Sequence, residues 1–304
     1  MIHISHNIQD ALTHMGEKNY GLDCGISSLN NLIRGLRGGN LILVAGRASM
    51  GKSSIMMDMG LHVSKTDPAL LVSMEMPFDE LQQRAACNLA DINFHSAMSG
   101  HIERDEKELL LATKEEIEKR KLYVVDGSWR VYPDWFKDKA TGEIPKDSLK
   151  HLIIRSVKDE GVKVVFIDHL QYINSIMSKA DTEAIRLHEV TQMLHELTVD
   201  YDIPIVLLSQ LRRPKEEQTK TEARPTMEQV RNSGQVEEDC NIVCLLYRPE
   251  YYRSNHEVDM FANHVENDAE IIVAKNRGGP TGTLRVVFNS YSMSFKDKEN
   301  DLGF

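Results

Sequence analysis

Eight residues, Gly46-Arg47-Ala48-Ser49-Met50-Gly51-Lys52-Ser53, have the spacing G-x-x-x-x-G-K-[ST]. Those residue types in that order suit one task, the cradling of a nucleoside triphosphate. Glycines let backbone N–H groups turn toward phosphate oxygens, and a following helix N-terminus adds partial positive charge. Lys52 is expected to reach the β- and γ-phosphates and the Ser53 hydroxyl to ligate Mg²⁺. With Ser54, at the start of the expected helix, these residues form the predicted ATP-binding set.

Further chemistry-bearing residues fall at the ends of apolar runs. Glu75 follows Leu70–Met74, Asp168 closes Val164–Asp168, Gln210 follows Ile205–Ser209, and Lys275 and Arg277 follow Ile271–Ala274. In open parallel sheets ligands gather at the carboxyl ends of strands, so these ends are read as meeting at one site. Asp168 would hold Mg²⁺ through a water, and Glu75 would orient and deprotonate the attacking water. Gln210 would sense the γ-phosphate and pass its loss to the basic loop that follows, while Arg277 would neutralise transition-state charge. Each signal is weak alone, since strand-end carboxylates often cap helices and single arginines are often solvated. Coincidence with the phosphate loop carries the reading.

Positioning such residues requires a parallel sheet with crossover helices. The loop has the context it needs, with the apolar run Leu41–Ala45 before it and a helical segment, Ser54–Val63, after it. Other predicted strands are Leu122–Val125, Ile242–Leu246 and Leu284–Phe288, the last entered through the turn Gly278-Gly279-Pro280-Thr281-Gly282. Between the strands at Val164 and Ile205, a helix over Thr182–Val199 repeats Leu187, Val190, Leu194 and Leu197 at helical spacing, a core-facing stripe. The expected class is α/β, and the stretch Trp129 to Asp147 reads as a surface loop.

The 304 residues carry 36 Lys and Arg against 46 Asp and Glu, a net charge of −10. A whole-surface coat on nucleic acid is therefore excluded, and any such ligand must meet a local patch. Leu211 to Gly234 supplies one, with six basic residues against four acidic. No apolar run approaches the ~20 residues of a membrane span. Met1 to Asp10 lacks a basic-then-apolar leader pattern. Four cysteines, Cys24, Cys87, Cys240 and Cys244, show neither a C-x-x-C pair nor a zinc spacing with His, and read as free thiols.

In order, Gly25-Ile26-Ser27-Ser28-Leu29, the phosphate loop, Ser73-Met74-Glu75-Met76-Pro77, Asp168-His169-Leu170-Gln171, Leu208-Ser209-Gln210-Leu211, Arg231-Asn232-Ser233-Gly234 and Lys275-Asn276-Arg277-Gly278-Gly279-Pro280-Thr281-Gly282 resemble the motor domain of DnaB-like hexameric replicative helicases. The resemblance runs from about Gly21 to Phe295. It implies a RecA-like P-loop NTPase core with C-terminal edge strands, ATP and Mg²⁺, and 5′→3′ translocation on single-stranded DNA by a homohexamer. It makes Glu75 the catalytic glutamate and Asp168 the metal-site aspartate. Lys275 and Arg277 would act across a subunit boundary on a neighbour's ATP. Arg231, Asn232 and Gly234 match a loop that grips the DNA backbone, and Arg212 and Arg213 lie on another channel loop. A primase, loader or polymerase partner and a cytoplasmic setting, in a bacterial cell or a phage-infected host, are also implied.

Departures from the family pattern are Ala48 where Pro is frequent, Asn232 where Glu is frequent, and His169 where Tyr is common. No counterpart of the family's N-terminal collar, or of a fused primase or zinc module, is read in these residues. Residues 1–20 are expected to be a linker or oligomerisation helix, 21–295 the motor, and 296–304 an acidic flexible tail. Tyr247 or Arg248 would stack on the base, or either would equally serve the structure alone. A RecA-type recombinase and an ATP-gated clamp or loader without unwinding stay open as alternatives.

Overall fold

The structure is a computed structural model, and it describes Gln9 and residues 20–126, 148–170, 183–212, 224–230, 238–253 and 266–298. The strands are β1 (Leu41–Gly46), β2 (Ala69–Ser73), β3 (Leu122–Asp126), β4 (Val164–Asp168), β5 (Ile205–Gln210), β6 (Ile242–Tyr247), β7 (Glu266–Asn276), β8 (Gly282–Asn289) and β9 (Ser294–Asp297). They form one sheet in the order β3-β2-β4-β5-β1-β6-β7-β8-β9. The run from β3 to β6 is parallel, and β7, β8 and β9 continue it as an antiparallel meander.

The helices are α1 (Ser27–Ile33), α2 (Lys52–Val63), α3 (Phe78–Ala90), α4 (Phe94–Met98), α5 (Arg104–Lys119), α6 (Ser148–Glu160), α7 (Glu183–Tyr201) and α8 (Pro249–Arg253). Strands buried on both faces must send alternate side chains into two separate cores. Val44, Phe166 and Leu208 accordingly join Met56 and Met59 of α2 in one layer. Leu43, Ile167 and Leu207 join Leu187, Leu194 and Leu197 of α7 in the other. The helical stripe anticipated between β4 and β5 is core packing.

Two expectations need correction. The strand over Ile271–Ala274 is longer, from Glu266 to Asn276, and runs antiparallel to β6. Lys296 and Asp297, assigned to a flexible tail, belong to β9. Asp297 accepts from Ser27 N at 2.6 Å and from Ser28 N and Oγ at 3.1 and 2.7 Å. A carboxylate at the first turn of α1 suits the unpaired N–H groups there. Burial opposes its ionisation, but these hydrogen bonds outweigh burial and hold its pKa below the usual range. The expected loop at Trp129–Asp147, the N-terminal segment apart from Gln9, and residues 299–304 lie outside the described residues.

Candidate nucleotide site

The phosphate loop turns where β1 ends. Ser49 and Gly51 take positive φ angles of 64° and 89°, and α2 starts at Lys52. A Cβ on Gly51 would come within 2.8 Å of the Phe295 ring, so the glycine is required by space as well as by backbone angle. Phe295 and Phe288, with ring centroids 4.9 Å apart, bring the C-terminal meander against the loop. The loop opens on a cleft of about 800 Å³ lined by Lys52, Ser53, Glu75, His169, Gln210 and Arg248, among others.

Inside the cleft, Ser53 Oγ donates to Asp168 Oδ2 at 2.6 Å. The other carboxylate oxygen of Asp168 is buried and, among the described residues, has no hydrogen-bond partner. Burial raises the Asp168 pKa, and the Ser53 hydrogen bond only partly offsets this. Lys52 Nζ donates to the carbonyl of Arg47 at 2.9 Å. Burial lowers its pKa against the opposing pull of Asp168 and Glu75. A hydroxyl beside an unsatisfied buried carboxylate oxygen, with an ammonium at hand, fits a phosphate-bound Mg²⁺. Mg²⁺ asks for few protein ligands because phosphates and waters supply the rest. Among the described residues no cluster of three His, Cys, Asp or Glu could hold a metal unaided.

Glu75 lies two residues past β2 on a pinned turn. Met74 N donates to Asp168 O at 2.6 Å and Met76 N to Ser73 Oγ at 3.0 Å. Phe78 N donates to Asp126 Oδ2 at 2.9 Å, fixing the start of α3 to the end of β3. The Glu75 side chain is 55% exposed toward the cleft, and its Oε2 stands 3.9 Å from His169 Nε2. Burial lowers the His169 pKa against the opposing pull of Asp168 and Glu75, which disfavours an imidazolium facing Glu75. Gln210 ends β5 in register with Gly46.

Lys275 and Arg277 are not brought to this cleft. Gly46 pairs with Leu246, and Leu246 pairs with Ile271. Lys275 lies four residues further along β7, about 13 Å toward the opposite end of the strands. The expectation that these strand ends coincide fails because β7 reverses direction. Arg277 is held there by its backbone N–H to Asn241 O at 2.9 Å and by its guanidinium to Glu238 O.

Arg212 is described and exposed, whereas Arg213, Arg231, Asn232 and Gly234 lie outside the described residues. Arg248 lines the cleft, but its guanidinium lies 3.8 Å over the Phe288 ring and donates to Ser49 O at 3.1 Å. Burial lowers its pKa to about 10, which leaves it charged. Its visible work is bracing the phosphate loop. Sequence reasoning missed Glu80, Arg84 and Tyr291 on the rim. Arg84 pairs with Glu80 at 2.8 Å and stacks on Phe94 at 4.5 Å. The i,i+4 spacing of Glu80 and Arg84 was a signal; nothing in the sequence marked Tyr291.

Residues 21–297 match the family model of the DnaB-like helicase C terminal domain. The replicative DNA helicase DnaB of Helicobacter pylori is 31% identical over 310 residues, covering 92% of this chain and 60% of that protein. Its namesake in Buchnera aphidicola (subspecies Baizongia pistaciae) is 28% identical over 277 residues, covering 90% and 55%. The chain thus spans little more than half the length of these relatives. A solved DnaB-like replicative helicase, studied for its interactions with primase, superposes with a TM-score of 0.78 at 24% identity, over 98% of this chain and 68% of that one. A solved ATPase domain gives the same score and identity over 96% and 99%.

Proposed function

The chain belongs to the family of DnaB-like helicase C-terminal domains, and from that premise we propose that it is the ATP-driven motor of a replicative DNA helicase. It moves 5′→3′ on single-stranded DNA as a homohexameric ring and displaces the partner strand. The observation that carries the reading is the contact between Ser53 and Asp168 beneath an open phosphate loop, with Glu75 across the cleft.

Within the cleft, Lys52 leaves the Arg47 carbonyl to meet the β- and γ-phosphates. Ser53 and Asp168 hold Mg²⁺, which when bound neutralises phosphate charge. Glu75 accepts the proton of the attacking water. Gln210 reports the γ-phosphate to the segment behind it. Lys275 and Arg277, remote from their own cleft, act on the ATP of the adjoining subunit. DNA is met by Arg212, Arg213, Arg231, Asn232 and Gly234, because phosphate contacts inside a ring need few basic groups and tolerate an acidic exterior. Residues 1–20 serve as the linker that docks on a neighbour, and primase, loader or polymerase contacts complete the assembly. Deleting residues 1–18 is expected to lower the oligomer mass measured by light scattering.

Strand displacement on a forked duplex with a free 5′ tail tests the proposal, with Lys52→Ala run beside it. Unwinding that needs the tail and is lost in the variant supports a translocating helicase. DNA-stimulated hydrolysis without unwinding favours the recombinase or clamp.

A further inference from the structure

Arg47 belongs to the phosphate loop, yet its guanidinium points away from the cleft's chemistry. Only 9% of the residue is exposed, and Nη2 donates to Gln229 Oε1 at 3.0 Å, 182 positions along the chain. Gln229 ends the single turn of 3-10 helix Met227–Gln229. Its carbonyl accepts from Arg212 N at 2.9 Å, and the next residue, Val230, bridges to Leu211. Leu211 N in turn donates to Gly46 O at 3.1 Å. One glutamine therefore ties the phosphate loop, through its side chain, to Arg212, through its backbone.

Resting on the motor reading above, we propose that Gln229 is a positioning residue that carries the nucleotide state of the phosphate loop to Arg212, one of the residues assigned above to DNA contact. The loop contains the element that changes. Lys52 Nζ is engaged with the carbonyl of Arg47 at 2.9 Å, the same residue whose side chain holds Gln229. Phosphate oxygens compete for Lys52, and its departure leaves the Arg47 carbonyl to the longer hydrogen bond from Met50 N at 3.4 Å. The hydrogen bond from the buried Arg47 side chain to Gln229 gives that change a path to Gln229. Coupling between two ligands is reciprocal, so DNA must alter nucleotide affinity by the factor by which nucleotide alters DNA affinity.

The test measures oligo-dT affinity of the full chain, with Mg²⁺, in the presence and absence of a non-hydrolysable ATP analogue. It compares wild type, Gln229→Met, which keeps size but loses the acceptor, and Gln229→Glu, which keeps it. Analogue affinity without DNA is measured in parallel, and thermal melts verify folding; Gln229→Ala replaces Gln229→Met if the latter does not fold. Expected is a nucleotide-dependent change in wild type, on the order of 5-fold or more. It should be abolished in Gln229→Met and retained in Gln229→Glu, with analogue affinity within about twofold throughout. If wild type couples and Gln229→Met couples equally, or if Gln229→Glu loses coupling as well, the proposal is overturned while the motor reading stands. A wild-type chain that binds neither analogue nor DNA, or shows no coupling, overturns both.

Discussion

The hydroxyl of Ser53 donates to Asp168 Oδ2 at 2.6 Å, joining the first turn of α2 to the end of β4, while the second carboxylate oxygen is buried and unpaired among the described residues. A buried carboxylate oxygen without a partner is costly. Its arrangement makes sense around a cation.

Asp168→Asn is therefore expected to weaken Mg²⁺ dependence more than nucleotide binding. The amide keeps an oxygen for Ser53 and removes the charge. We expect the Mg²⁺ concentration for half-maximal ATP hydrolysis to rise about 10- to 100-fold, as for other groups that act on a metal through water. A magnesium titration of hydrolysis gives the answer, and an unshifted midpoint would count against the metal role.

Glu75 stands exposed on a turn pinned to Asp168 and Ser73, so Glu75→Gln should remove a base without disturbing the loop. The expected result is a fall in kcat of about 10²- to 10⁴-fold. Binding of a fluorescent ATP analogue should change little. Loss of binding together with turnover would recast Glu75 as structural.

Asp58 on α2 gives the fold a pH dependence of definite sign. Its carboxyl accepts from Asn88 Nδ2 at 2.6 Å and Phe295 N at 2.7 Å, yet burial pushes its pKa to about 7 from 3.8. Because the folded state holds the proton more tightly, this group's stabilisation is full below the unfolded pKa and is lost as pH rises through about 7. Relative to Asp58→Asn, wild type should gain melting temperature as pH falls from about 8 to about 5. Parallel melting curves for the two proteins would refute it.

Much of this was legible in the sequence because the parallel strands are short apolar runs and the phosphate loop has fixed spacing. Direction was not legible in the same way. Ile271–Ala274 is as apolar as a parallel strand, and only the hairpin turn at Gly278–Gly282 hinted that β7 reverses. Strand β9 was hidden because Lys296 and Asp297 look like tail residues until Asp297 is seen capping α1. The Arg47–Gln229 bond joins residues that no local pattern relates.

That reversal of β7 yields the last prediction. Arg277 is anchored to Glu238 and Asn241 at the end of the sheet away from its own phosphate loop, which supports the proposed role on another subunit's ATP. Arg277→Ala alone should lose about 10³-fold or more in turnover, the scale of an arginine that stabilises transferring phosphate. Lys52→Ala alone should be inactive as well. In mixed rings, however, an Arg277→Ala subunit contributes an intact Lys52, and an adjoining Lys52→Ala subunit contributes an intact Arg277. Head-to-tail interfaces formed at random from equal amounts should leave about a quarter of the sites complete. ATP hydrolysis by the mixture should then rise well above either variant alone. If both residues served the same subunit's ATP, every site would lack one of them, and mixing would restore nothing.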